Sequence, residues 1–355
     1  MSDPTDKPQG NMYEVVFPVP DVTGSEGHLT LVIALSGYAD AGNAVSASAS
    51  FLLDALEHRP LVNFSIDELI DYRSRRPAVT MNRDQIVDVS DLNLSLNVVR
   101  DNVGKPFLLL SGPEPDMRWE AFTTAVVKLV EKFNIEDTIM LYAAPMPVPH
   151  TRPTVVTVHG TSSRLTEHML SMDSTMMVPG SAALYLEKAL ADKHRTVAGY
   201  TVHVPHYLAA SPYPQATYQL LDAVARAARL NIPLGSIEAD ISRVENQLEE
   251  QVGGSDEIEG VVQQLEQQYD AYMERYRKEH PQAIMPGEEP MPTGEEISEE
   301  FQAFLASLNE EESQQIINTE IDDREDSAEE EGPQSDGGKD GPDSASGEGD
   351  LGDDI

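Results

Sequence analysis

Leu29-Thr30-Leu31-Val32-Ile33-Ala34-Leu35 is a nearly continuous apolar run that stops at Ser36-Gly37; a small-residue segment follows from Ala44 to Leu56. A seven-residue run closed by a turn signal reads as a strand covered on both faces, and the segment after it suits a closely packed helix. The same alternation continues outward. Val62 to Ile66, Leu94 to Val99 and Phe107 to Leu110 read as strands. Gly112-Pro113-Glu114-Pro115 breaks the last of these, and Trp119, Phe122, Val126, Val130 and Phe133 then recur at helical spacing. Thr138 to Tyr142, Val155 to Val158 and Val197 to Val204 read as further strands, with a helix from Ala182 to Leu190. Strands alternating with helices of 10 to 15 residues predict one α/β domain over residues 13–232, with a largely parallel or mixed sheet.

After Pro233 the pattern becomes helix only. Ile237, Ile241, Val244 and Leu248 form one stripe; Gly253-Gly254 turns the chain; Ile258, Val261, Leu265, Tyr269, Tyr272 and Tyr276 form a second. This predicts an antiparallel helical hairpin over 233–280 that buries its seam on itself or on the body. Residues 281–309 read as a Pro-rich linker, Pro281 to Pro292, then a short amphipathic helix. That helix opens on the capping box Thr293-x-x-Glu296 and carries Phe301, Phe304, Leu305 and Leu308 on one face.

The 355 residues carry 24 Lys and Arg against 62 Asp and Glu, a net charge of −38. A surface this negative repels phosphate backbones and anionic headgroups, so neither nucleic acid nor a membrane surface is expected as a partner. Residues 310–355 hold 18 acidic and 2 basic side chains and no Phe, Tyr or Trp, so a disordered acidic tail is expected there, as is a disordered start over 1–12. There is no cysteine, which fits a reducing compartment, and no apolar run reaches the roughly 20 residues that span a bilayer. We read a cytoplasmic chain.

Ligands of open α/β sheets bind beyond the carboxyl ends of strands, so the loops there hold the candidate ligand-binding residues. In the first loop Gly37 and Gly42 allow close backbone approach, and Asp40 either handles a proton or caps the next helix. The second holds Asp67, Asp71, Arg73, Arg75 and Arg76, whose guanidinium groups suit phosphates or carboxylates, or else pair with Asp67, Glu68 and Asp71. In the third, Glu114 and Asp116 precede the Trp119 helix, where carboxylates suit the helix dipole. The fourth set is His150, Arg152, His203 and His206, among prolines that fix the loop shape. His203-x-x-His206 is a weak metal signal without a third ligand, so no metal and no cofactor is expected. There is no Gly-x-Ser-x-Gly elbow and no phosphate loop, and no catalytic residue is assigned.

Taken in order, these loops resemble the actinobacterial branch of the proteasome assembly chaperone 2 family. The segments concerned are Gly37 to Gly42, Asp67 to Pro77, Gly112 to Pro115, Pro149-His150-Thr151-Arg152-Pro153, Val178-Pro179-Gly180-Ser181 and His203-Val204-Pro205-His206-Tyr207. The resemblance runs from about Tyr13 to Tyr276. It implies a phosphorylase/hydrolase-like α/β fold, similar to purine nucleoside phosphorylases, with a sheet flanked by helices and a helical C-terminal addition. It also implies a non-catalytic interaction protein; the alternative is a binder of, or enzyme for, phosphates, nucleosides or carboxylates at the strand ends. Related folds imply a homo-oligomer, with a protein partner met through the sheet, the hairpin or the C-terminal helix. The assembly chaperones end in a hydrophobic-Tyr-X tripeptide, and Asp353-Asp354-Ile355 departs from it.

Overall fold

The computed structural model describes residues 12–22, 28–167, 169–172 and 175–288. Residues 1–11 of the expected disordered start, the last four residues of the linker, the short amphipathic helix and the acidic tail lie outside the described residues. In chain order, the first half comprises β1 (Tyr13–Val15), β2 (Thr30–Ser36), α1 (Ala44–Ala55), β3 (Glu57–Phe64), α2 (Ile66–Leu69), β4 (Val79–Asn82), β5 (Gln85–Val89), β6 (Ser95–Arg100), β7 (Pro106–Pro113) and α3 (Trp119–Lys132). The second half comprises β8 (Asp137–Met146), β9 (Val156–Gly160), α4 (Ser163–Thr166), α5 (Ala182–Asp192), β10 (Thr196–Pro205), α6 (Pro214–Ala228), α7 (Glu238–Gly253) and α8 (Asp256–Glu279).

Eight strands form one sheet in the order β1-β3-β6-β7-β2-β8-β10-β9, parallel from β7 through β10 and antiparallel toward both edges. The apolar run Leu29 to Leu35 supplies β2, at the centre of this sheet. Side chains alternate across a strand, so Leu31, Ile33 and Leu35 pack with Phe122, Val126, Leu186 and Leu190 of α3 and α5. Val32 and Ala34 face the opposite layer, with Ala44, Val45, Ala49 and Leu52 of α1 and Leu220, Leu221 and Val224 of α6. The result is the expected α/β architecture, helices on both faces of a mixed sheet.

Three elements differ from expectation for visible reasons. The strand expected from Val62 to Ile66 is β3, which starts at Glu57 and stops at Phe64; its first four residues, Glu57-His58-Arg59-Pro60, are exposed and carry no apolar signal. Ile66 instead opens α2. The β4–β5 ribbon, exposed at every position, was not expected at all. The hairpin α7–α8 forms as expected, but α8 buries Val262, Leu265, Tyr269, Met273 and Tyr276, leaving Ile258, Val261 and Tyr272 at 46%, 48% and 36% exposure. Its seam rests on the body, against Val155, Leu170 and Met285. Met285 lies in the stretch read as linker, whose described part packs rather than trails away. No described helix is long and apolar enough to cross a membrane.

Candidate functional site

The parallel strands β7, β2, β8 and β10 end side by side, and the loops beyond them carry the ionisable residues in two clusters. The first lies over β2 and β7. Arg75 Nη1 donates to the Ser36 carbonyl at 2.8 Å, and its Nε lies 3.5 Å from Asp116 Oδ1. Asp116 also accepts from the Asp71 backbone N–H at 2.9 Å and from the Ser74 hydroxyl at 3.0 Å. Arg75 and Asp116 therefore tie the second loop to the strand ends. Glu114, only 8% exposed, accepts from the Ala182 N–H at 2.6 Å and from the Tyr38 N–H at 3.3 Å. It thus serves the start of α5 rather than the Trp119 helix. Gly37 has to be glycine here, because a Cβ would lie 2.9 Å from the Glu114 Cβ and 3.2 Å from an Arg75 Nη.

Asp40 Oδ1 accepts from the Val45 and Ser46 N–H groups at 2.8 and 3.3 Å, so the carboxylate caps α1, and burial raises its pKa above the usual value. Gly42, at φ 65°, exchanges backbone bonds with Ala209 and Tyr213 beyond β10. Asp67 takes a hydrogen bond from the Tyr72 hydroxyl at 2.7 Å, and Asp71 caps its own turn through the Arg73 N–H at 2.9 Å. Of the salt-bridge network weighed for this loop, Glu68 pairs with Arg118. Arg73 and Arg76 are exposed, with no guanidinium contact among the described residues.

The second cluster lies beyond β8 and β10. Arg152 forks onto Asp270 through Nε and Nη2, each at 2.9 Å, and reaches Glu266 Oε1 through Nη1 at 3.0 Å. Both carboxylates belong to α8, and the fork holds the Asp270 carboxyl below its usual range. The Tyr207 hydroxyl accepts from the His150 N–H at 3.0 Å and lies 2.7 Å from His150 Nδ1. Burial lowers the pKa of the His150 ring below its usual value. His206 stands edge-on to the Tyr207 ring. His203 is 7% exposed, with Nε2 at 3.1 Å from the Thr157 hydroxyl. Among the described residues no group of three or more His, Asp or Glu side chains is arranged to hold a metal ion. A cavity of about 460 Å³ opens between His150, Arg152, Gln215, Glu245 and Glu249.

Loss of solvation pushes the His203 pKa from 6.5 down to about 4. A histidine depressed in the fold favours the unfolded chain once protons are available. Its penalty is absent above pH ~6.5 and grows as pH falls from there to about 4. At roughly 1.4 kcal/mol per pKa unit, the loss across that window is on the order of 3 kcal/mol. Urea midpoints of wild type and His203→Gln should therefore converge or cross between pH 7 and pH 4. A constant difference would show that His203 is not held neutral.

Sequence reasoning missed a third ionisable group, on the α5 face of the sheet. The buried Tyr142 hydroxyl donates to Glu187 Oε2 at 2.8 Å, and His159 Nε2 lies 3.0 Å from Glu187 Oε1. Gly199 makes room for it, since a Cβ there would come within 2.8 Å of the Tyr142 ring. The three residues lie on β8, β9 and α5, so no spacing announces them. The Arg152 partners were findable, because Glu266 and Asp270 are four apart on one helical face.

The match to a family model decides the kinship: residues 34–252 fit the model of the PAC2 family, well over half of the chain. The chain belongs to the PAC2 family. A solved structure, that of a protein of unknown function from Corynebacterium glutamicum, is 58% identical over 75% of this chain and 100% of its own, with a TM-score of 0.73. A Mycobacterium tuberculosis protein of unknown function is 44% identical over 75% of this chain and 93% of its own, at 0.72. A Mycobacterium tuberculosis proteasome-assembly chaperone homologue, 24% identical over 66% of this chain and 99% of its own, shares the PAC2 fold at 0.60. No curated protein matches the sequence. The resemblance read from the loops is thus the right family.

Proposed function

We propose that this PAC2 protein is a non-catalytic interaction protein of the assembly-chaperone kind, acting on a protein partner. One observation carries the reading: four of the ionisable groups at the strand ends bond to neighbouring elements of the same chain, and Arg73 and Arg76, which do not, are exposed. Asp40 caps α1, Glu114 anchors α5, Arg75 holds the second loop to Ser36, and Arg152 clamps α8. A catalytic acid or anion-binding guanidinium needs free valence toward a substrate, and these groups have spent theirs. The cavity beside His150 adds Glu245 and Glu249 to an arginine that is already paired, which disfavours phosphate or carboxylate ligands there.

Proteasome α subunits assembling with and without the full chain, followed on native gels, test the reading. Ring formation should accelerate at stoichiometric amounts; an unchanged rate at tenfold excess removes the chaperone part. A thermal-shift series with inorganic phosphate, nucleosides and dicarboxylates should leave the Tm unmoved. A shift that Arg75→Ala or Arg152→Ala abolishes would establish the small-molecule reading instead.

A further inference from the structure

Glu187 is buried on the side of α5 that rests on the sheet, and groups from two different strands close on its carboxylate. Tyr142, on β8, donates its hydroxyl proton to Oε2 at 2.8 Å. His159, on the edge strand β9, brings Nε2 to 3.0 Å from Oε1 and 3.2 Å from Oε2. The His159 ring fills the space above Gly199 of β10 and stacks on the Tyr142 ring, 5.9 Å between centroids and 24° between planes. Three strands and a helix therefore meet at one carboxylate.

A carboxylate this far from water needs compensation from its neighbours. Tyr142 cannot supply charge: burial first, and then the Glu187 charge, raise its pKa well above the usual value, so it stays a neutral donor. His159 is the partner whose charge can change. Half of its side chain is open to water while that of Glu187 is only 10% exposed, so protons reach the ring without the carboxylate having to emerge. The other ionisable groups nearby are committed elsewhere. Glu114 accepts from the Ala182 and Tyr38 N–H groups, and Lys188, beside Glu187 on α5, pairs with Asp192 in solvent. His203, on the same face of β10 as Gly199, is bonded to Thr157, and its pKa of about 4 keeps it neutral in the range where His159 titrates.

We propose that His159 is a proton-operated latch: when protonated it pins α5 to the edge strand β9 through Glu187, and when it loses its proton it loosens α5 from the sheet. The bond to Glu187 raises the His159 pKa above 6.5, against the opposing effect of burial. A histidine raised in the fold contributes stability that is fully present below pH ~6.5 and is lost as pH rises through the folded pKa. The neutral ring can still donate an N–H, but an uncharged donor holds a carboxylate about half as strongly, and the enclosed charge of Glu187 is then uncompensated. The latch closes in acid and opens in weak base, the opposite sense to His203. It is independent of the assembly reading, because it needs no partner and is measured on the purified chain.

The chain carries its own reporter. Trp119, the single tryptophan, begins α3, and its ring lies 5.8 Å from that of Tyr185, two residues before Glu187 on α5. Between pH 6 and pH 9 the full chain is followed by the NMR titration of the His159 ring, by Trp119 fluorescence and by hydrogen-exchange protection factors along α5. The His159 midpoint should lie above 6.5 and fall in Glu187→Gln. Trp119 emission should change with the wild-type midpoint, and protection across α5 should drop at least about fivefold on the basic side. His159→Gln should remove the pH dependence of both signals; its ring is half exposed, so this variant carries the test even if Glu187→Gln does not fold. A His159 midpoint at or below 6.5 overturns the proposal. So does a raised midpoint with unchanged fluorescence and protection, which would mean that the ring titrates without moving α5, and so does a pH dependence that survives in His159→Gln.

Discussion

Gly112→Ala is expected to cost on the order of 4 kcal/mol of stability, among the largest effects a single methyl group produces. Gly112, next to last in β7, has φ 137°, and a Cβ there would press on the Asn93 carbonyl oxygen and lie 2.8 Å from the Leu94 Cα. Both neighbours are backbone of the segment leading into β6, so no rotamer relieves the clash, and β7 and β6 have to part at the point where the loop carrying Glu114 begins. Gly104→Ala is the control. Gly104 also has positive φ, at 84°, but nothing lies within 4 Å of its Cβ position, so only backbone strain of about 1 kcal/mol is expected. Urea denaturation of the two variants separates strain from collision. Equal losses would show that the close approach of β7 to residues 93 and 94 is not a feature of the folded chain.

Tyr276→Ala should cost about 3–5 kcal/mol and free the end of α8, whereas Arg152→Ala should cost only about 1 kcal/mol. The Arg152 fork looks the stronger attachment on geometry, but its side chain is 32% exposed and its Asp270 partner 54%, where water and salt already screen the charges. Tyr276 is 3% exposed, packs with Val155, Leu170, Tyr269, Met273 and Met285, and stacks on His280 at 4.3 Å. Its hydroxyl accepts from the Ser171 N–H at 2.9 Å, so Tyr276→Phe isolates that bond, a loss of about 1 kcal/mol. Hydrogen exchange along α8 reads the outcome directly. Faster exchange in Arg152→Ala than in Tyr276→Ala would mean that ion pairing, not apolar burial, holds the helix down.

The site was legible as a set of loops and illegible as a set of bonds. Gly37, Asp40, Arg75, Glu114, His150, Arg152 and His203 all lie beyond or at the ends of parallel strands, where the alternation of apolar runs and glycine-rich turns placed them. Their partners are another matter. Glu114 is bound by Ala182, 68 residues later, and Arg152 by Asp270, 118 residues later. Local spacing carries no information at that range. The capping bond of Asp40 was legible, because the start of α1 four residues on is a local event. For Glu114 the same logic chose the wrong helix, since the helix it serves is adjacent only in space.

The sequence by itself determined the strand–helix alternation, the family and the charge imbalance, because periodicity, loop chemistry and composition are properties of neighbouring residues. Only the tertiary structure decided which face of α8 is buried, with Val262 and Met273 replacing Val261 and Tyr272, because a helix turns about its axis to suit the surface it meets. It also decided the state of the arginines. Arg75 and Arg152 are paired within the chain, whereas Arg73, Arg76 and Arg83 have no ion pair among the described residues, a division set by which strand ends and helices the sheet order brings beside them.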